Sequence, residues 1–355
     1  MPKIGPKSLF TLCLLLAVPI QFAQANPLVN EDCTISSGLK TRKILNESIE
    51  IKKRLNSGAY GQVYLASSVH QPHCIYAVKV YNLFHGKATN EMEKELSAYS
   101  LLERNDFFPK IFGHAHYYED EESNQPRIPN SPFYRKDILF MEYVAGGDFF
   151  NFVELDAYQK EWTVFYAAEV ALALDFIHRQ NLVYRDLKLE NVMLSSDGHI
   201  KLVDMGMCKI LSEFGQKIQG SPCGTFGFMA PEMEKGTYDF RVDWYCLGIL
   251  IFEMSTTYWE RKISFHQFIA RLEKKKDKFE KMHKDVLEVV LKLTSKNPEK
   301  RISSLEQLKE MKFFQGIDWE KLENHADIPP HTPEENFNSL SADYSKTEKF
   351  LGKFF

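Results

Sequence analysis

From residue 49 to about residue 80, β-branched and aromatic residues alternate with polar ones, in "IEIKKRLNSGAYGQVYLASSV" and then "CIYAVKVYN". Alternation with a period of two turns one side of each run toward a core and predicts a small antiparallel sheet. The period then changes. "NEMEKELSAYSLLERN" has helical spacing, with Leu96, Tyr99 and Leu101 or Leu102 on one face. "YYEDEESNQPRIPNSPFYRK" is acidic and then proline-rich, which fits a surface insertion between strands. "DILFMEYVA" restores the strand pattern and stops at Gly146-Gly147, a candidate hinge. Beyond it, "EWTVFYAAEVALALDFIHRQ" reads as an amphipathic helix and "VDWYCLGILIFEMST" as a helix buried nearly all round. A sheet-rich first part and a helical second part predict an α+β chain in two lobes. The charged stretch "VYRDLKLENVML" is then expected in a cleft between them, since a core strand would not tolerate such charge without partners.

Composition adds little to this picture and the N-terminus adds more. The 355 residues are 44% apolar and 26% charged, ordinary for a globular chain, and the formal charge of −4 argues neither for nor against a nucleic-acid surface. Lys3 and Lys7 precede an apolar run from Leu9 to Ile20, and Ala23 and Ala25 form an A-x-A site. That layout is a secretory signal peptide over residues 1–25, with a run short for a membrane span. Cleavage after Ala25 would move the formal charge from −4 to −6. The cysteines point elsewhere. Outside the signal they are Cys33, Cys74, Cys208, Cys223 and Cys246, an odd set with irregular spacing and no CxxC. Such a set is no disulfide framework and suits a reducing compartment. The basic run "RLEKKKDKFEKMHKD" reads as a solvated helix face.

Chemistry enters with "LNSGAYGQVYLA", where Gly58 and Gly61 in a strand–turn–strand let backbone N–H groups approach a phosphate. A glycine pair in a hairpin is usually only a turn, and an apolar strand ending in a lysine, as in "YAVK", is unremarkable. "RDLKLEN" and "VDMG" follow in turn. Four such elements in this order resemble a eukaryotic-type protein kinase, over roughly residues 49–355. "DMGMCK", "CGTFGFMAPEM", "DWYCLGILIFEM" and the tail "FFQGIDWEKLENHADIPPHTPEENF" narrow the resemblance to the AGC group, with cyclic-AMP-dependent kinase and protein kinase C.

The resemblance implies a bilobal α+β fold: an N-lobe of antiparallel sheet plus one helix (49–145) and a mainly helical C-lobe (146–314). A linker (26–48) would precede this kinase domain and an AGC-like tail (315–355) would follow it. It implies ATP-dependent phosphorylation of Ser/Thr hydroxyls on proteins, with ATP and Mg²⁺ as cofactors. Asp186 would accept or orient the substrate hydroxyl and Lys188 steady the transferring phosphate. Asn191 and Asp204 would hold Mg²⁺, while Lys79, oriented by Glu95, would reach the α- and β-phosphates. Glu91 and Glu93 compete with Glu95 but read as solvated helix acids. Nucleotide contacts would come from Leu55, Asn56, Gly58, Gly61, Val63, Ala77, Met141, Glu142, Val144, Asp148 and Met193. Arg185 would meet a phosphate on Ser221 of the activation segment, and Thr225 would sit against Asp186 and Lys188. Glu232 with Arg301 would form a buried ion pair, and Asp243 would anchor the catalytic-loop backbone. Asp148, Glu190 and Glu253 would select basic residues upstream of the target, and Pro222, Phe226 and Met229 would hold the residue after it. Phe350, Phe354 and Phe355 resemble a tail motif that docks on the first lobe.

Two departures stand out. Asn56 replaces the first glycine of the phosphate loop, and tolerance of positive φ would let it keep the loop's shape. Met205 replaces a phenylalanine and would fill the same apolar slot. A nucleotide-binding pseudokinase scaffold is the rival of a different class, and a lipid or small-molecule kinase a third. Lys79, Asp186, Asn191 and Asp204 are all present, which favours activity, and "CGT…APE" favours a protein substrate. The partners expected are protein substrates and an upstream activating kinase, with the chain monomeric, without nucleic acid and without a membrane span. Secretion with action in a host cell would reconcile the signal with unpaired thiols, and a lumenal or periplasmic kinase is the alternative.

Overall fold

The computed structural model describes residues 49–58, 60–68, 71, 74–81, 90–118, 135–155, 159–256, 265–273 and 283–333. The signal peptide, the linker, Cys33, most of the acidic and proline-rich insertion, the middle of the basic run and the aromatic chain end lie outside the described residues. The described residues fall into two units, one drawn from residues 49–99 and 109–143, the other from residues 100–108 and 144–333.

The first unit is an antiparallel sheet of strands β1 (Ile49–Ser57), β2 (Gly61–Ser68), β3 (Ile75–Tyr81), β4 (Ile111–Tyr118) and β5 (Arg135–Glu142), in the order β1-β2-β3-β5-β4. Tyr118 pairs with Arg135, so residues 119–134 connect adjacent strands. Side chains alternate across a strand, and paired residues share a face. One face packs its own core of Ala66, Cys74, Tyr76, Val78, Phe112 and Phe140, with Tyr76 edge-on to Phe112 at 5.4 Å between ring centroids. Burying each large member contributes about 1.5–3 kcal/mol. The other face carries Val63, Lys79 and Leu139 in one row and Leu65, Ala77 and Met141 in the next. Helix α1 (Glu91–Leu102) buries Met92, Glu95, Ala98 and Tyr99, whereas Leu101 is exposed and Leu96 only half-buried. Tyr99 and the fully buried Leu102 lie on the expected face, and Met92, Glu95 and Ala98 complete the buried stripe.

The second unit is mainly helical. It contains α2 (Phe149–Phe152), α3 (Thr163–Arg179), α4 (Arg241–Met254), α5 (Phe265–Glu273), α6 (Lys284–Leu293), α7 (Leu305–Lys309) and α8 (Trp319–Glu323). Short strands β6 (Leu182–Val183), β7 (Val192–Leu194), β8 (Ile200–Leu202), β9 (Lys209–Ile210), β10 (Ile218–Gln219) and β11 (Thr237–Tyr238) pair as β6–β9, β7–β8 and β10–β11. Helix α4 is buried at almost every position from Val242 to Phe252, so it reads as apolar all round. Gly248 is required there, since a Cβ would lie 2.6 Å from Thr294 Cγ2 and 2.8 Å from Leu293 Cβ. Residues 100–108 belong to this unit because Phe107 and Phe108 are buried in it. The Phe107 carbonyl accepts from Leu202 N at 2.8 Å, and Phe108 packs on Phe176.

Two buried polar assemblies tie the helices together. The fully buried Asp243 carboxylate accepts Tyr184 N and Arg185 N, both at 2.8 Å, and meets His178 Nε2 at 2.9 Å. Near α3, His199 Nδ1 lies 2.5 Å from Glu169 Oε1, and Ile200 N donates to Glu169 Oε2 at 3.1 Å. The His325 ring stacks on His199, with centroids 4.2 Å apart and planes at 16°. One possible ligand atom from each of the three falls within 4.8 Å of the others, and the His199 nitrogen is already engaged by the Glu169 carboxylate. We read this set as a proton-sharing clasp. No local motif marks it, because Glu169 and His199 are 30 residues apart.

Candidate active site

In the first unit the candidate residues sit on regular elements. Lys79 Nζ donates to Glu95 Oε2 at 2.6 Å, with both side chains buried. Tyr81 Oη donates to the same oxygen at 2.6 Å. Sequence reasoning did not single out Tyr81; its position two residues after Lys79, on the same face of β3, was the available signal. Glu91 pairs with Lys94 at 2.8 Å near solvent, as a helix-surface acid does. Val63, Ala77 and Met141 share the Lys79 face of the sheet, and Leu55 falls at the β1 irregularity between Arg54 and Asn56.

One detail differs from the expectations and two refine them. Asn56 is a strand residue paired with Val63, and its φ is not positive, so left-handed tolerance plays no part there. Gly61 has a packing reason, since a Cβ would lie 2.3 Å from the Val80 carbonyl oxygen; the corresponding space at Gly58 is open. The Glu142 N–H donates to the Lys110 carbonyl at 2.8 Å, so an edge bond to a ligand would fall to the Glu142 carbonyl.

In the second unit the candidates sit on irregular backbone held by side chains. Asp186 Oδ1 accepts from Thr225 Oγ1 at 2.8 Å, and Asp186 Oδ2 accepts from Asn191 Nδ2 at 2.9 Å and from Lys188 Nζ at 3.0 Å. Lys188 also donates to Thr225 Oγ1 at 2.8 Å, which closes a ring of three side chains. Asn191 Nδ2 is further held by the Asp186 carbonyl at 2.8 Å, leaving Oδ1 as the amide oxygen to offer a cation. Asp204 follows β8 in a left-handed conformation (φ 60°) and accepts Gly206 N at 3.3 Å. Val203 N donates to the Asn191 carbonyl at 3.0 Å, which brings Asp204 to the same open end of the β7–β8 hairpin as Asn191. Met205 is fully buried beside Cys208.

Arg185, also left-handed (φ 71°), donates through Nε to the Met207 carbonyl at 2.7 Å and through Nη1 to Tyr238 Oη at 3.0 Å. Ser221 and Pro222 are exposed, Phe226 is 90% exposed, and Met229 is half-buried, so among these residues Met229 alone is enclosed. Val144 is buried, and Asp148 bridges to Met193 while capping α2 through Asn151 N at 2.9 Å. Burial raises the Asp148 carboxyl above the usual range, against the Asn151 hydrogen bonds. Glu190 is exposed as a residue, yet desolvation of its carboxyl raises it too, with Asp148 and Asp186 adding to the rise and Lys188 opposing it. The Asp148 charge thus reaches Glu190, and Glu253 lies in the last turn of α4. Glu232 and Arg301 meet in a fork of 2.5 and 2.9 Å.

A family model described as the protein kinase domain matches residues 49–314, and the chain belongs to that family. Among curated relatives it is similar to the serine/threonine-protein kinase AtPK1/AtPK6 of Arabidopsis thaliana, 32% identical over 308 residues, covering 84% of this chain and 62% of the relative. Ribosomal protein S6 kinase alpha-4 of Mus musculus is 30% identical over 337 residues, 90% of this chain and 40% of that protein. Protein kinase C delta type of Mus musculus is 37% identical over 210 residues, 57% of this chain and 31% of that protein. The matched region thus spans between about a third and three fifths of these relatives' lengths. A protein kinase C among them agrees with the AGC resemblance of the motifs. Among the described residues no helix is long and apolar enough to cross a membrane.

Proposed function

We propose that the chain is a serine/threonine protein kinase that transfers the γ-phosphoryl group of ATP to hydroxyls on protein substrates. The observation that carries this reading is the ring of Asp186, Lys188 and Thr225, held by Asn191. Phosphoryl transfer asks a protein mainly for positioning and charge compensation, and the ring supplies both. Asp186 orients the substrate hydroxyl and takes its proton as the new oxygen–phosphorus bond forms and the bond from the γ-phosphorus to the β–γ bridging oxygen breaks, with ADP leaving. Lys188 balances charge on the transferring group, and the Thr225 hydroxyl keeps acid and base in register. Lys79, steadied by Glu95, binds the α- and β-phosphates. Asn191 and Asp204 offer hard oxygens that fit Mg²⁺, which when bound would neutralise phosphate charge. Leu55, Val63, Ala77 and Met141 of the first unit supply apolar contacts for adenine.

Several finer points belong to the same proposal. Asp148, Glu190 and Glu253 favour substrates with basic residues before the target, a reading supported by the Asp148 charge that reaches Glu190. Phosphate on the exposed Ser221, added by an upstream kinase, would pair with Arg185. Residues 1–25 would direct export, and mature protein beginning at Asn26 would be the product.

Labelled ATP with an arginine-containing serine peptide tests the activity against an Asp186→Asn control. We expect turnover with the native chain and a loss on the order of 10³-fold in the variant. An inert native chain, or an equally active variant, overturns the proposal.

A further inference from the structure

We propose that Tyr81 is a positioning residue that fixes Glu95 for its pairing with Lys79, an inference that rests on the kinase reading above. Tyr81 and Lys79 lie two apart on β3, so both side chains leave the same face of the sheet. Both donate to the same Glu95 oxygen at 2.6 Å, and the Lys79 ammonium lies 5.2 Å from the centroid of the Tyr81 ring. All three side chains are buried, and Glu95 is 0% exposed. A buried carboxylate is costly unless its oxygens are bonded, and hydrogen bonds to a charged group are the strong ones.

The two donors differ in one respect that matters. An ammonium is drawn toward any phosphate brought near it, and its hold on Glu95 weakens as it turns. A phenol is neutral, so a phosphate gives it no comparable pull. The Tyr81 hydroxyl therefore keeps Glu95, and with it α1, against β3 while Lys79 engages nucleotide. The ring's stacking over the ammonium steadies Lys79 from the side. In this arrangement the position of α1 is held from within the first unit itself.

Tyr81→Phe keeps the ring and removes the hydroxyl. Binding of the magnesium complex of a non-hydrolysable ATP analogue is measured by calorimetry for the native chain, Tyr81→Phe, Glu95→Ala and the double variant. Loss of one charge-assisted hydrogen bond is expected to weaken binding about 10-fold in Tyr81→Phe. In the Glu95→Ala background the same change should have no further effect, because Tyr81 acts through Glu95. Amide exchange across residues 91–102 should speed up about threefold or more in Tyr81→Phe, with the melting temperature otherwise held. Native-like binding and exchange in Tyr81→Phe overturn the proposal, as does an equal loss in both backgrounds, which would make Tyr81 a packing residue. Turnover is not needed for this test. A native chain that binds the analogue without transferring phosphate sinks the activity alone, and one that binds no analogue sinks both.

Discussion

The two units solve the same problem, holding charged side chains in fixed relation, by opposite means. In the first, Lys79 and Tyr81 stand on a regular strand and Glu95 on a regular helix, so ordinary periodicity aims them. In the second, Asp186 and Asp204 stand on irregular backbone next to or within left-handed residues, and hydrogen bonds from Thr225, Asn191 and Gly206 do the aiming. Left-handed conformations at non-glycine residues persist only where the surroundings over-determine them. The difference teaches that stability and activity should separate in the first unit and travel together in the second.

The largest expected effect breaks the second arrangement at its anchor. Asp243→Ala removes the acceptor of two backbone N–H groups and of His178, leaving them unpaired in the interior. We expect about 3–5 kcal/mol of destabilisation together with loss of turnover, read by chemical denaturation and peptide assay. A stable, active variant would erase the contrast. Thr225→Ala should lower kcat about 30-fold, equivalent to about 2 kcal/mol, with a lowered melting temperature beside it, since Asp186 and Lys188 each lose a partner. Thr225→Ser should recover most of it, because the hydroxyl does the bridging.

Glu169→Gln sharpens the comparison through pH. Burial raises the Glu169 carboxyl to about 7, against the His199 hydrogen bond, and Glu169 in turn raises His199 against burial. His325 is lowered by burial and by His199, with Lys201 adding to the fall and Asp106 and Asp197 opposing it. A raised carboxyl stabilises the fold fully below its unfolded value near 4.5, and that contribution fades as pH rises through about 7. Gln is neutral throughout, so the variant's melting temperature should gain on the native chain between pH 5 and 8, by an equivalent of about 1–2 kcal/mol.

The smallest effect concerns Asp239, which burial would raise but which hydrogen bonds from Arg241 and Lys217 hold at about 2. That depressed carboxyl contributes stability above its unfolded value of 3.8 and loses it as pH falls through about 2. Asp239→Asn should cost about 1 kcal/mol at neutral pH once screening is allowed for, with the gap closing in acid.

Much of the fold was legible in the chain because strands and helices write their periods into the sequence. The sheet residues on the Lys79 face could be assigned from alternation, and helix α4 from its unbroken apolar run. The order of motifs around Gly58, Lys79, Asp186 and Asp204 determined the family, since each residue type there answers a need of phosphate chemistry. Contacts between distant positions were decided by the tertiary structure alone. Gly61 proved to be required by the Val80 carbonyl, Asn56 proved to be an ordinary strand residue, and Tyr81 joined Glu95. Glu169 reaches His199 across 30 residues, whereas the contact of Thr225 with Asp186 across 39 residues was expected from the family resemblance and not from any local pattern. A period states which face a side chain takes; which partner it meets depends on where turns such as those at Arg185 and Asp204 send the backbone.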